Sequence, residues 1–259
     1  MTLEEAFSLK DREVISLVGG GGKTTLMFSM GKELSSRRKG VLLTTTTKIW
    51  APTPSASLAL FLSDQFSEIK KWVAQNLQSF TCLLVAQERL TSGKLKGINP
   101  EWIEELHSLP EISVIIVEAD GAAGRSLKAP REGEPVVPQN TSLLIPVVGI
   151  DVLGSFLDEQ HVFRSEIAAR LLHKNLGSTI TEEDIARLVE ELVQNSPEEA
   201  RVIPFVNKVD LPSILEKGRK LAKYLLDIRR AKISRVILGQ ACCSPVVKET
   251  ISHNCPNVK

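Results

Sequence analysis

Four consecutive glycines followed by a lysine and two threonines, Gly19-Gly20-Gly21-Gly22-Lys23-Thr24-Thr25, carry the strongest chemical signal in the chain. Glycines let a backbone curl around oxygen atoms without side-chain collision, so that successive amides point into one concavity. The helical pattern that follows adds unpaired amides and a dipole favourable to anions. In that setting Lys23 neutralises the β- and γ-phosphates of a nucleoside triphosphate, and the Thr24 hydroxyl binds Mg²⁺. The spacing departs from the usual G-x-x-x-x-G-K-[ST]: Leu17 stands where the first glycine belongs, and the loop reads G-x-x-G-K-T-T.

Two further groups belong to the same chemistry. The apolar run Val114-Ile115-Ile116-Val117 leads into Glu118-Ala119-Asp120-Gly121. A carboxylate at the C-terminal end of a central parallel strand lies beside a phosphate loop, where it holds Mg²⁺ or orients an attacking water. Asp120 is the favoured metal-shell residue, with Thr24, and Glu118 the second candidate. The two are expected on opposite faces, and with Lys23 they form the candidate catalytic set. A solvated strand end is the plainer alternative. Asn207-Lys208-Val209-Asp210 matches N-K-x-D, in which the Asp accepts from guanine N1–H and the exocyclic amine while Asn and Lys brace the loop. That favours GTP over ATP; a polar turn before Pro212 is the alternative. Thr44-Thr45-Thr46-Thr47-Lys48 suits a strand by propensity, and its last residues are equally placed to reach the γ-phosphate. Arg125, Lys128 and Arg131 are either solvent-facing loop charges or contacts to an anionic cofactor.

The elements that must position these residues are legible as alternating β-branched runs and helical periodicities, the pattern of a parallel sheet wrapped by helices. Strands are expected at Val14–Val18, Val41–Thr46, Cys82–Ala86, Val114–Val117, Leu143–Val148, Val202–Val206 and Val236–Leu238, with Pro52 and Pro54 closing off the second. Helices are expected at Lys23–Arg38, Ser63–Ser79, from Asn99-Pro100, and at Leu211–Arg230. Thr181-Glu182-Glu183-Asp184 reads as a capping-box start to an apolar stripe of Ile185, Leu188, Val189 and Leu192. The fold class is α/β: a P-loop NTPase-like, doubly wound and mostly parallel sheet. It forms one domain over residues 1–259, with a small helical insert at 155–196.

A formal charge of +1 without basic runs gives nucleic acid no electrostatic footing. No apolar run approaches the ~20 residues of a membrane helix, and the polar start of the chain does not read as a signal peptide, so the expected compartment is the cytoplasm. Cys82 reads as core. Cys242, Cys243 and Cys255 fit no zinc or disulfide spacing, and a redox or soft-metal role for them is the minority reading.

The shortened loop resembles the ATP loop of the Mur ligases. Taken together, Gly19–Thr25, Thr44–Lys48, Glu118-Ala119-Asp120-Gly121 with Leu127-Lys128-Ala129-Pro130, Asn207–Asp210 and His161-Val162-Phe163-Arg164 resemble the YqeC family over nearly the whole chain. That resemblance implies an accessory protein of selenium-dependent molybdenum hydroxylases or of their cofactor biosynthesis, with the hydroxylase or a maturation enzyme as protein partner. The expected activity is a Mg²⁺-dependent NTPase. A ligase or transferase, or a non-catalytic nucleotide sensor, are the alternatives.

Overall fold

The run Val14-Ile15-Ser16-Leu17-Val18 is buried on both sides, as a strand at the centre of a wrapped sheet must be. In the computed structural model, which describes residues 1–53, 58–77, 82–228 and 233–253, α1 (Leu3–Phe7) leads into β1 (Glu13–Gly19) and α2 (Lys23–Ser35). There follow β2 (Val41–Thr45), β3 (Lys48–Trp50), β4 (Leu58–Leu62), α3 (Phe66–Asn76), β5 (Cys82–Ala86), β6 (Glu88–Arg89), β7 (Lys94–Lys96), α4 (Glu101–Ser108), β8 (Val114–Glu118) and β9 (Leu127–Lys128). The second half holds β10 (Leu143–Gly149), β11 (Val162–Phe163), α5 (Ser165–Leu172), α6 (Glu182–Val193), β12 (Arg201–Val202), β13 (Phe205–Asn207), α7 (Pro212–Leu226), β14 (Arg235–Gly239) and β15 (Val247–Ser252). Pro54, Ser79, Arg230 and Cys255, invoked above, lie outside the described residues.

The main sheet runs β15-β14-β13-β10-β1-β8-β2-β5-β4, with β12 also on β10. Its pairings are parallel except β14 with β15. From β1 the chain builds outward through β2, returns to insert β8 against β1, then crosses to β10 and builds on the other side. The reversal opens a crevice at the carboxyl ends of β1, β8 and β10, where such sheets bind ligands.

Strand periodicity divides the core in two. Val14 and Val18 join one cluster, Ile15 and Leu17 the other. On the second face lie α1 and α2, through Leu3, Phe7, Leu26 and Met30. On the first lie α3, α4, α6 and α7, through Ile69, Ile103, Leu188 and Leu221. Helices on both faces make the sheet doubly wound, the α/β, P-loop NTPase-like class expected. Helix α6 opens on a complete capping box of Thr181 and Asp184, and its Ile185, Leu188, Val189 and Leu192 are buried. Each such burial contributes about 1.5–3 kcal/mol.

The expected strand Val202–Val206 is instead two short pieces, β12 and β13, separated at Ile203-Pro204, since proline brings no amide to a ladder. A small three-stranded sheet, β3-β7-β6, is one that the sequence pattern does not predict. It is pressed onto the tip of β2: a Cβ on Gly97 would lie 2.4 Å from the Thr45 carbonyl oxygen. Among the described residues, no helix is long and apolar enough to cross a membrane.

Candidate functional site

The glycine loop is curled. Gly19, Gly21 and Gly22 have φ of 95°, 77° and 124°, a region that L side chains rarely adopt. Neighbouring backbone enforces the shape: a Cβ on Gly21 would lie 2.2 Å from the Gly149 nitrogen, and one on Gly19 2.4 Å from the Val147 oxygen. The Gly20 and Gly21 amides donate to Val147 O and Arg125 O, each at 2.8 Å. Helix α2 then begins at Lys23 with no side-chain cap, leaving its first amides for a ligand.

Lys23 is buried, at 4% exposure. Its Nζ donates to Gly19 O and lies 3.1 Å from Asp120 Oδ1 and 3.9 Å from Glu118 Oε1. The expectation that Glu118 and Asp120 face opposite ways is therefore corrected. Residues two apart on a strand share a face, and both carboxylates meet the same ammonium. They are not equivalent. Asp120 accepts the Gly19 amide at 3.1 and 3.0 Å and pairs with Lys128 Nζ at 3.1 Å, its side chain wholly enclosed. Glu118 lines the cavity and accepts the Thr24 hydroxyl at 2.6 Å. Burial raises the Glu118 carboxyl above its usual range; the Lys23 charge and the Thr24 hydrogen bond oppose that shift.

Lys128 is neither a solvent-facing charge nor a ligand contact, for its side chain is fully buried between Asp120 and Glu134. Glu134 in turn accepts two bonds from Arg164, at 2.7 and 2.8 Å, and one ion pair from Arg131 at 3.0 Å. Charges thus alternate from Lys23 to Arg164, as buried ions must if none is to lack a partner. Burial pushes the Glu134 carboxyl up, but the hydrogen bonds and charges of Arg164 and Lys128 outweigh it and hold it at about 2. Arg125 braces its loop by donating to Glu159 O at 2.7 Å and Ala123 O at 2.8 Å. The pairing of Glu134 with Arg164 spans thirty residues, and no local spacing announces it.

Asn207 joins the loop to its surroundings. Its Nδ2 donates to Gly21 O at 2.7 Å, and its Oδ1 accepts the Ala241 amide at 2.8 Å. A Cβ on Gly22 would lie 2.3 Å from that Nδ2. Lys208, at φ 66°, reaches Ser126 Oγ and Asp151 Oδ2, both at 2.7 Å. Asp210 is exposed and stands outside the cavity lining. Thr44 and Thr45 serve structure, donating to Val85 O and Glu118 O, whereas Thr46, Thr47 and Lys48 face the cavity.

These parts line one cavity of ≈ 1050 Å³ at the carboxyl ends of the strands, containing Gly21 to Thr25, Glu118, Asn207 and Lys208. No cluster of three or more His, Cys, Asp and Glu suited to a metal occurs among the described residues. A cation here would draw on a hydroxyl and one or two carboxylates, as Mg²⁺ beside a phosphate does. Cys82 is buried, its thiol pushed up to about 12 by desolvation. Cys242 and Cys243 are exposed, their sulfurs 3.8 Å apart.

The sequence model of the family described as YqeC protein matches residues 15–166, which span the glycine loop, both carboxylates and the Lys128–Arg164 chain. The chain is also 33% identical over 237 residues to "Uncharacterized protein YqeC" of Escherichia coli (strain K12), covering 90% of each.

Proposed function

The chain belongs to the YqeC family, and on that footing we propose that it is a Mg²⁺-dependent NTPase acting in the cytoplasm. It uses GTP in preference to ATP and serves the maturation of a selenium-dependent molybdenum hydroxylase or its cofactor. The observation that carries the nucleotide reading is the Lys23 ammonium. It is buried at the start of an uncapped helix, set between two carboxylates, on the wall of a cavity. The maturation role rests on the family resemblance.

When a triphosphate enters, Lys23 exchanges Asp120 and Gly19 O for phosphate oxygens. Asp120 keeps Lys128 and the Gly19 amide, so the exchange strands no buried carboxylate. Thr24 Oγ1 and Glu118 Oε2, 2.6 Å apart, are the hard oxygen donors that fit Mg²⁺; bound there, the ion neutralises phosphate charge. This geometry favours Glu118 over Asp120 for the metal side and makes Asp120 the group that positions Lys23. Asn207 ties the phosphate loop to the loop after β14, so the base belongs over the tips of β13 and β14. The preference for GTP requires Asp210 to turn inward there.

Calorimetry with GTP and ATP, with and without Mg²⁺, tests the assignment. Tight binding that needs Mg²⁺ and disappears in Lys23→Ala is expected. Unchanged affinity in that variant overturns the site, and a clear ATP preference overturns the role of Asn207–Asp210. Multiple-turnover phosphate release separates an NTPase from a sensor.

A further inference from the structure

The order of strands in the main sheet is also an order along the cavity. Tips of β14 and β13 bring Gln240, Asn207 and Lys208; β1 brings the phosphate loop; β8 brings Glu118; and beyond β8 lie β2 and the β3-β7-β6 sheet. A triphosphate laid from Asn207 across Lys23 ends near Glu118, yet the cavity continues over that small sheet.

Its two faces differ. Ile49 and Leu95, directly opposite each other, are buried. The alternate residues turn to the cavity: Lys48 opposite Lys96, and Trp50 opposite Lys94. Like charges directly across an antiparallel pair are destabilising. Lys96 is partly answered by Glu88 at 3.1 Å, both half-exposed, but Lys48 has no ion pair among the described residues. Beside them Trp50 is 62% exposed, with Lys94 Nζ 5.0 Å from its ring centroid. An apposed lysine pair beside a mostly exposed indole leaves both positive charge and apolar surface facing water. It matches a ligand that carries an anionic group and a flat ring.

We infer that this face is a second ligand subsite, taking a planar aromatic or heteroaromatic molecule with a carboxylate or phosphate. The anion bridges Lys48 and Lys96, and the ring lies against Trp50. Its place beyond the terminal phosphate rests on the nucleotide reading; the subsite itself does not.

Quinoline-2-carboxylate, quinoline and inorganic phosphate, titrated calorimetrically into the full chain, test the inference. Saturable binding of quinoline-2-carboxylate is expected, with both partial probes weaker by at least about tenfold. Lys48→Gln/Lys96→Gln and Trp50→Leu should each weaken it about tenfold or more, while Trp50→Leu leaves MgGTP affinity within about twofold. No saturable binding, or an isotherm unchanged in the double variant, overturns the subsite. If the unmodified chain binds quinoline-2-carboxylate but neither MgGTP nor MgATP, the proposed function falls and the subsite stands.

Discussion

Lys128 is enclosed between Asp120 and Glu134 without a route to solvent, and its value lies in what happens to its neighbours when Lys23 moves. Replacing it with Met leaves a buried carboxylate short of a partner. That change is expected to cost about 3–5 kcal/mol, read from urea unfolding, and to weaken MgGTP binding even though Lys128 touches no ligand. Glu134 gives a pH test. Its carboxyl sits at about 2 in the fold, below the ordinary 4.5. A lowered folded value means a stabilisation complete above the unfolded value and lost as pH falls through the folded one. Glu134→Gln should therefore show a shallower loss of stability than the parent between about pH 4.5 and 2, with denaturant midpoints across that range as the measurement. The glycines, Lys23 and the two carboxylates were legible because each group is contiguous in sequence. The chain from Lys128 to Arg164 was not, because its pairings connect segments that only the fold brings together.

At the level of elements, the glycine loop and the segment after β8 differ in the room they have. Gly21→Ala combines a left-handed φ with a Cβ 2.2 Å from backbone and should destabilise by more than about 3 kcal/mol. Gly124→Ala meets no atom within 4 Å at φ +79°, so conformational strain alone, about 1–2 kcal/mol, is expected. Comparative urea melts check the contrast. Legibility of the elements follows the same physics of burial. β1, β2, β5, β8 and β10 are apolar runs buried on both faces and could be placed from sequence. β3, β6 and β7 are two or three residues long and mostly charged, with Ile49 and Leu95 as their buried residues. Periodicity has too little length to register there. β15, with Lys248, Glu249 and Thr250, looks polar because it is an antiparallel edge.

For the molecule as a whole, binding of the proposed nucleotide should be linked to folding. At about a hundred times its dissociation constant, MgGTP should stabilise the protein by about 2.7 kcal/mol, raising the melting midpoint by about 5–10 °C; Lys23→Ala should show no rise in differential scanning calorimetry. The close meeting of backbones at Gly19, Gly21 and Gly149 has a mechanical consequence. With Val147 O and Gly149 N standing where side chains would go, the floor of the glycine loop is jammed and cannot yield. Any motion that accompanies the proposed nucleotide cycle is thereby displaced to the rim, where Gly124 has open space around it and the small sheet joins the body at Gly97. Hydrogen exchange should register this as a division: amides of residues 19–22 and 147–149 equally slow with or without nucleotide, and those of 121–125 and 46–50 slowed only when it is present.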